Sequence, residues 1–123
     1  MEKELTIDGR QVAFKSTGAF LLRYKMQFKR DAIADIYRMY NSVAVSPETG
    51  KEEVNLETLD LEVFYNLVWT LAKTADPTIP PPLEWLDSFD EFPLTEILPE
   101  TMDMMMSCLS STVESKKKQI PET

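Results

Sequence analysis

Histidine is absent from this chain of 123 residues, and its absence excludes many kinds of catalytic site. The imidazole ring is the commonest general base and metal ligand in proteins, so neither a Ser-His nor a Cys-His nucleophile pair can form. Glycine occurs only at positions 9, 18 and 50, which is too few for a glycine-rich phosphate-binding loop. We therefore expect a protein that is not an enzyme and that has no catalytic residue, cofactor or metal site.

Cysteine and long apolar segments are also scarce. The single cysteine, Cys108, excludes an internal disulfide and suits a reducing cytoplasm, and we expect it to act as a small buried hydrophobe. No apolar run approaches the ~20 residues that a membrane span requires. The first residues, MEKELTIDGR, lack the apolar segment of an export signal. These features predict a soluble intracellular protein without a membrane partner.

Positive charge is scarce and unevenly distributed. The net charge is -8, divided between +3 in residues 1–42 and -11 in residues 43–123. Nucleic-acid binding depends on Lys and Arg that neutralise phosphates, so we expect no nucleic-acid partner. The asymmetry would allow head-to-tail self-association between copies of the chain. The alternative is that both charged regions are simply solvated faces.

The first 42 residues predict a β-hairpin followed by two helices. Apolar residues alternate around Asp8-Gly9, which favours a tight turn between strands at about 4–8 and 11–15. Ser16 or Thr17 is the predicted cap of the first helix, and Asp31 that of the second, although one bent helix is the alternative. The predicted apolar faces are Phe20, Leu21, Tyr24 and Phe28 on the first helix, and Ile33, Ile36, Tyr37 and Tyr40 on the second.

The remaining residues predict further helices. Residues 43–56 have the composition of a loop, and residues 59–76 form the clearest helix, which ends before Pro77. A proline-rich connector and a short helix within PLEWLDSF follow. The last helix is predicted to begin after a break near Leu98, with Pro99 in its first turn and a face that continues to Val113. The predicted fold is mainly α with a short N-terminal β-hairpin, in a small single domain of residues 1–114 with a flexible polar tail of residues 115–123.

A methionine cluster is the candidate site for a partner protein. Methionine side chains adapt to varied apolar surfaces, so methionine-rich helices are typical of sites that bind several ligands. The sequence MDMMMS contains four candidates: Met102, Met104, Met105 and Met106. Packing in the core is the alternative interpretation. On a helix, however, Met104 and Met105 do not both face the same side as Met102 and Met106. This wide apolar circumference favours partner binding.

Three segments resemble a known family. They are IDGRQVAFKSTG, RYKMQFKRD and VWTLAKTADPTIPPPLEWLDSF, in that order along the chain. The chain resembles the tail assembly chaperones of long-tailed bacteriophages and prophages of Gram-positive bacteria. The resemblance implies a non-catalytic, mostly helical protein in the cytoplasm of the bacterial host. It also implies that many copies coat the tape-measure protein, prevent its aggregation and help to bring tail-tube subunits to it.

The resemblance also bears on Lys116, Lys117 and Lys118. In the family, a longer product often arises by a programmed ribosomal frameshift near the end of the shorter reading frame. Lysine codons are AAA or AAG, so three in a row form an adenine-rich stretch on which a ribosome can slip. We expect these codons to form a slippery sequence, with an open -1 frame beyond Thr123.

A different function is compatible with the acidic region. The net charge of -11 in residues 43–123 would suit a small phage or prophage decoy that mimics DNA and inhibits a nucleic-acid-binding host protein. Such a decoy would bind a basic protein in a salt-sensitive manner. A chaperone would instead bind a long helical protein through apolar contacts.

Overall fold

The secondary structure is mainly helical. The computed structural model describes the backbone of residues 1–119 and the side chains of residues 1–110. Within that range the order is β1 (Glu2–Ile7), β2 (Arg10–Lys15), α1 (Phe20–Phe28), α2 (Ala32–Asn41), β3 (Val43–Val45), β4 (Glu52–Val54), α3 (Leu61–Ala75), α4 (Pro82–Asp87) and α5 (Leu94–Gln119). The predicted fold class, mainly α with an N-terminal β-hairpin, is confirmed.

The N-terminal hairpin forms around the predicted Asp8-Gly9 turn. Both turn residues have positive φ, 54° and 74°, as a type I′ hairpin turn requires. The strands pair antiparallel, with Ile7 opposite Arg10. Ile7, Val12 and Phe14 are buried, and β2 lies against α3. Burial of these side chains against a helix supplies the support that a two-stranded sheet lacks alone.

Helices α1 and α2 are separated by a sharp bend, which we call the elbow (residues 29–31). Lys29 ends α1 in a left-handed conformation, with φ of 59°. Asp31 begins α2, and its Oδ1 accepts a hydrogen bond from the Ile33 amide at 2.9 Å. The predicted break and cap at Asp31 are therefore correct. The cap predicted at Ser16 or Thr17 is wrong, because α1 begins after Ala19, which makes no side-chain cap bond.

A buried carboxylate connects both helices to the elbow. Asp35 is only 2% exposed. Its Oδ2 accepts hydrogen bonds from the Tyr24 hydroxyl at 2.6 Å and from Arg30 Nε at 2.7 Å, and its Oδ1 accepts one from Arg30 Nη2 at 3.0 Å. Desolvation by burial acts to raise the pKa of Asp35, but the hydrogen bonds from Arg30 and Tyr24 and the nearby positive charge lower it overall. The charged carboxylate is thus the form that fits this site.

Helix α3 is the centre of the core. Its N-cap is Asp60, whose side chain accepts a hydrogen bond from the Val63 amide at 3.2 Å, and it ends before Pro77 as predicted. Its buried residues are Val63, Phe64, Asn66, Leu67, Val68, Trp69, Thr70, Leu71 and Ala72. Trp69 Nε1 also donates to the Pro80 carbonyl at 2.9 Å. That bond fixes the proline connector against α3.

Two predictions between residues 32 and 56 are wrong. The buried side of α2 consists of Ala32, Asp35, Ile36 and Met39. Of the predicted apolar face only Ile36 is buried, because the Asp35 carboxylate turns inward to meet its donors. Residues 43–56 contain a second hairpin, β3 and β4, rather than a plain loop. The Ser, Pro and Gly signals mark only its turn, and its strands are too short to show alternation.

The last helix also differs from the prediction. It begins at Leu94, so Pro99 is its sixth residue and lies inside the helix rather than in its first turn. Pro99 has no amide hydrogen, so the Thr95 carbonyl loses the donor it would meet in a regular helix. Helix α5 extends to Gln119 and therefore includes residues 115–119 of the predicted tail. Residues 120–123 lie outside the described residues, and the flexibility of residues 115–123 stays a prediction.

Replacing Asp35 by Asn should lower the free energy of unfolding by about 1.5–3 kcal/mol at pH 7, because charge-assisted hydrogen bonds are lost. The folded pKa of Asp35 lies below its unfolded value of 3.8. Its contribution is therefore complete above pH 3.8 and is lost as pH falls through the folded pKa. Urea unfolding should show a weaker acid dependence in Asp35→Asn than in the unmodified protein.

Asp31→Asn is the matched control, since Asn caps a helix as well as Asp. It should leave the stability at pH 7 nearly unchanged. Equal losses from the two variants would contradict a special role for the Asp35 carboxylate.

Candidate functional site

The predicted methionine site lies mostly inside the protein. Met102 is 6% exposed, Met104 and Met105 are fully buried, and Met106 is half-buried. The premise that α5 is more apolar than its packing requires is therefore wrong. Helix α5 contacts α2, α3 and β4, so buried residues occupy several of its sides. A partner would reach Met104 or Met105 only after α5 had moved, and partner binding by the four methionines stays a prediction.

Cys108 is half-buried on the same helix. It lines a small cavity of about 220 Å³ with Met1, Ser16 and Leu21 among its neighbours. Burial raises the pKa of the Cys108 thiol, and a hydrogen bond with Ser16 only partly offsets that effect. A raised pKa disfavours the thiolate, which is the reactive form. The surroundings of Cys108 suit packing better than nucleophilic chemistry.

Three apolar residues of α2 are exposed instead. Ile33 is 36% exposed, Tyr37 49% and Tyr40 51%. Their spacing of four and then three residues places them along one side of the helix, over about 10 Å. We call this surface the α2 face. The sequence pattern contained all three residues but assigned them to the core.

A shallow groove lies at each end of the α2 face. The groove beside Ile33 has a volume of about 260 Å³ and is lined by Leu21, Lys25, Asp31, Ala32 and Ile33. The groove beside Tyr40 has a volume of about 390 Å³ and is lined by Tyr40, Asn41, Val43, Ala44, Val45, Glu52 and Met102. Val45 is 63% exposed, so the apolar surface continues from α2 onto β3. Met102 is the one predicted site residue that borders this surface.

The outer side of α1 adds an apolar pair. Leu22 and Met26 lie one turn apart and are 62% and 64% exposed. Arg23 and Lys25 are the neighbours that flank this pair around the helix. Because Lys25 also lines the groove beside Ile33, the outer side of α1 continues into the α2 face. Such a grouping of exposed apolar side chains is typical of a surface that meets another protein.

A wider cleft has a different character. It has a volume of about 830 Å³ and separates β1 from the first turns of α5. Lys3 crosses it, and its Nζ donates to the Glu100 carbonyl at 2.6 Å and to the Asp103 carboxylate at 3.3 Å. Lys3 thus connects the first strand to the last helix. The cleft is therefore spanned by an exposed ion pair that holds two elements of the fold together.

Two other kinds of site are absent from the described part of the chain. Within it, no group of three or more His, Cys, Asp or Glu side chains is placed to hold a metal ion. No helix there has both the length and the apolar character needed to cross a membrane. Comparisons with protein-family models, curated proteins and solved structures found no match to this chain. The α2 face is accordingly the best-defined candidate site.

Truncating Met104 and Met106 in turn should show which of the two side chains is packed in the core. Met104→Ala should lower the free energy of unfolding by about 2–5 kcal/mol, since it leaves a cavity in the core. Met106→Ala, at a half-buried position on the same helix, should cost distinctly less. Urea denaturation of both variants measures the difference. Equally small losses would mean that α5 does not pack as described.

Proposed function

We propose that this protein is a non-catalytic chaperone of bacteriophage tail assembly. It acts in the cytoplasm of the bacterial host and holds apolar helices of the tape-measure protein until tail-tube subunits assemble around them. The observation that carries the proposal is the α2 face, an exposed apolar stripe two helical turns long with a groove at each end. The resemblance of three sequence segments to tail assembly chaperones supports the choice of partner.

The composition of the α2 face suits binding to another helix. Tyr37 and Tyr40 combine a large apolar ring with a hydroxyl that tolerates water, so they can be exposed before binding and buried afterwards. Tyrosine is among the residues that contribute most to protein interfaces. A stripe with helical spacing also presents ridges that fit the grooves of a second helix.

The small size of the face suits reversible binding. A contact two turns long falls below the area of a stable protein–protein interface, so a single copy should bind weakly. Many copies along one long partner would together keep its apolar surface from water. Each copy could still leave when tail-tube subunits take its place. The proposed frameshift product would add a longer form of the same chain.

The α2 face can be tested with a double variant. Tyr37→Ser with Tyr40→Ser should greatly reduce the soluble fraction of a co-expressed tape-measure protein, because it removes two apolar anchors. Both residues are about half exposed, so each substitution should lower the free energy of unfolding by no more than about 1–1.5 kcal/mol, half the value for a fully buried side chain, and the variant should remain folded. Pelleting assays measure the soluble tape-measure protein, and thermal unfolding checks the fold.

Leu83→Ser is the matched control, since Leu83 is 73% exposed on α4 and lines neither groove of the α2 face. It should leave tape-measure solubility unchanged. A double variant that still keeps the tape-measure protein soluble would refute the role of the α2 face. Salt-sensitive binding to a basic nucleic-acid-binding host protein, without any effect on a tape-measure protein, would favour the decoy instead.

Self-association is part of the proposal, because the two parts of the chain carry opposite net charge. Sedimentation at low salt should show species larger than a monomer. These species should decrease as salt is raised, because salt screens attraction between exposed charges. A strict monomer at high concentration and low salt would contradict head-to-tail association.

A further inference from the structure

The α2 face lies in a basic region of an acidic protein. Residues 20–41 contain five Lys or Arg and two Asp, a net charge of +3 in a chain whose net charge is -8. One of the two acids, Asp35, is buried and bonded to Arg30. The other, Asp31, caps α2 through the Ile33 amide. The exposed cations of the region are Arg23, Lys25, Lys29 and Arg38.

Two carboxylates lie near these cations: Asp31 lines the same groove as Lys25, and Asp35 lies near Arg38. Among the described side chains, no carboxylate lies within ion-pair distance of Arg23, Lys25 or Lys29. Arg38 is 57% exposed and lies 3.8 Å from the Asp35 carboxylate. Arg30 already pairs with that carboxylate at 2.7 Å. The positive charge beside the α2 face is therefore available to a partner.

Lys25 is the cation that shares a groove with the apolar stripe. It lines the groove at the Ile33 end of the α2 face, and it also flanks Leu22 and Met26 on α1. A helix that lies along Ile33 and Tyr37 would pass its flank over this ammonium group. Glu52 lines the groove at the opposite end, beside Tyr40. The groove at the Ile33 end also contains the Asp31 carboxylate, whose Oδ1 already accepts the Ile33 amide. Lys25 is the cation among the residues that line the two grooves, so the ammonium group lies toward the Ile33 end.

We infer that the α2 face selects an amphipathic helix that carries Asp or Glu beside its apolar stripe. This inference rests on the proposed function and specifies the helix that the site accepts. Complementary charge around an apolar contact contributes mainly specificity and rate of association. The strongly acidic remainder of the protein repels such a helix, so binding is confined to the basic region.

Two designed peptides of about 20 residues test the inference, a length at which a helix can form. They share one apolar stripe and carry either Glu or Lys at the flanking positions. Fluorescence anisotropy should show roughly tenfold tighter binding of the Glu peptide, since each exposed ion pair contributes about two- to fivefold. The difference should largely disappear between about 50 mM and about 500 mM salt.

Reversing the charge of a single lysine tests which residue causes the preference for the Glu peptide. Lys25→Glu should remove or reverse the preference for the Glu peptide. Lys51→Glu makes the same change of charge in the turn between β3 and β4 and should preserve the preference. Tyr37→Ser should weaken both peptides. Circular dichroism checks that each variant remains folded.

The possible results separate the two proposals. Equal, salt-independent binding of both peptides that is lost in Tyr37→Ser would overturn charge selection but keep the α2 face as a binding site. Binding that is unchanged in Tyr37→Ser, or no binding of either peptide, would overturn the α2 face and charge selection together. A preference for the Glu peptide that Lys51→Glu removes as fully as Lys25→Glu would reject Lys25 as the selecting residue.

Discussion

The buried carboxylate of Asp35 determines which side of α2 faces solvent. A charge of this kind is tolerated inside a protein only when it is paired and hydrogen-bonded, and Tyr24 and Arg30 supply three donors. Asp35 lies two residues from Ile33 and two from Tyr37, which is about 200° around the helix in each direction. Turning Asp35 inward therefore turns both apolar residues outward. An ionic interaction inside the protein thus creates the apolar surface outside it.

The same interaction explains which parts of the fold could be predicted. Local signals were sufficient for the first hairpin, whose Asp8-Gly9 pair suits positive φ, and for the end of α3 before Pro77. Asp31 likewise marked the start of α2. The orientation of α2 depends on donors five and eleven residues from Asp35. Hydrophobic periodicity treats an aspartate as a surface residue, so it assigned Ile33, Tyr37 and Tyr40 to the core.

The exposure of the methionine cluster was predicted wrongly for a related reason. A wide apolar circumference can mean a free surface or a helix with several packed neighbours, and the sequence of α5 alone does not distinguish these cases. Contacts with α2, α3 and β4 cover Met104 and Met105. These contacts join residues distant in sequence, as does the tie from Lys3 to Glu100 and Asp103. The candidate site could therefore be recognised only after the chain was folded.

The contacts that hold the fold together lie elsewhere in the protein than the α2 face. Trp69 of α3 bonds to the Pro80 carbonyl, just before α4, and Arg10 of the first hairpin lies 4.2 Å from the centre of the ring of Phe89, just after α4. These contacts join α3 and the first hairpin to the segment around α4. The α2 face takes no part in these ties, and its exposed side chains can be buried by a partner without loss of an internal contact. In the proposed function, a weak apolar stripe beside exposed cations would give a contact whose strength comes from repetition and whose selectivity comes from charge. The proposed covering of a long helical partner, followed by its release, would require that combination.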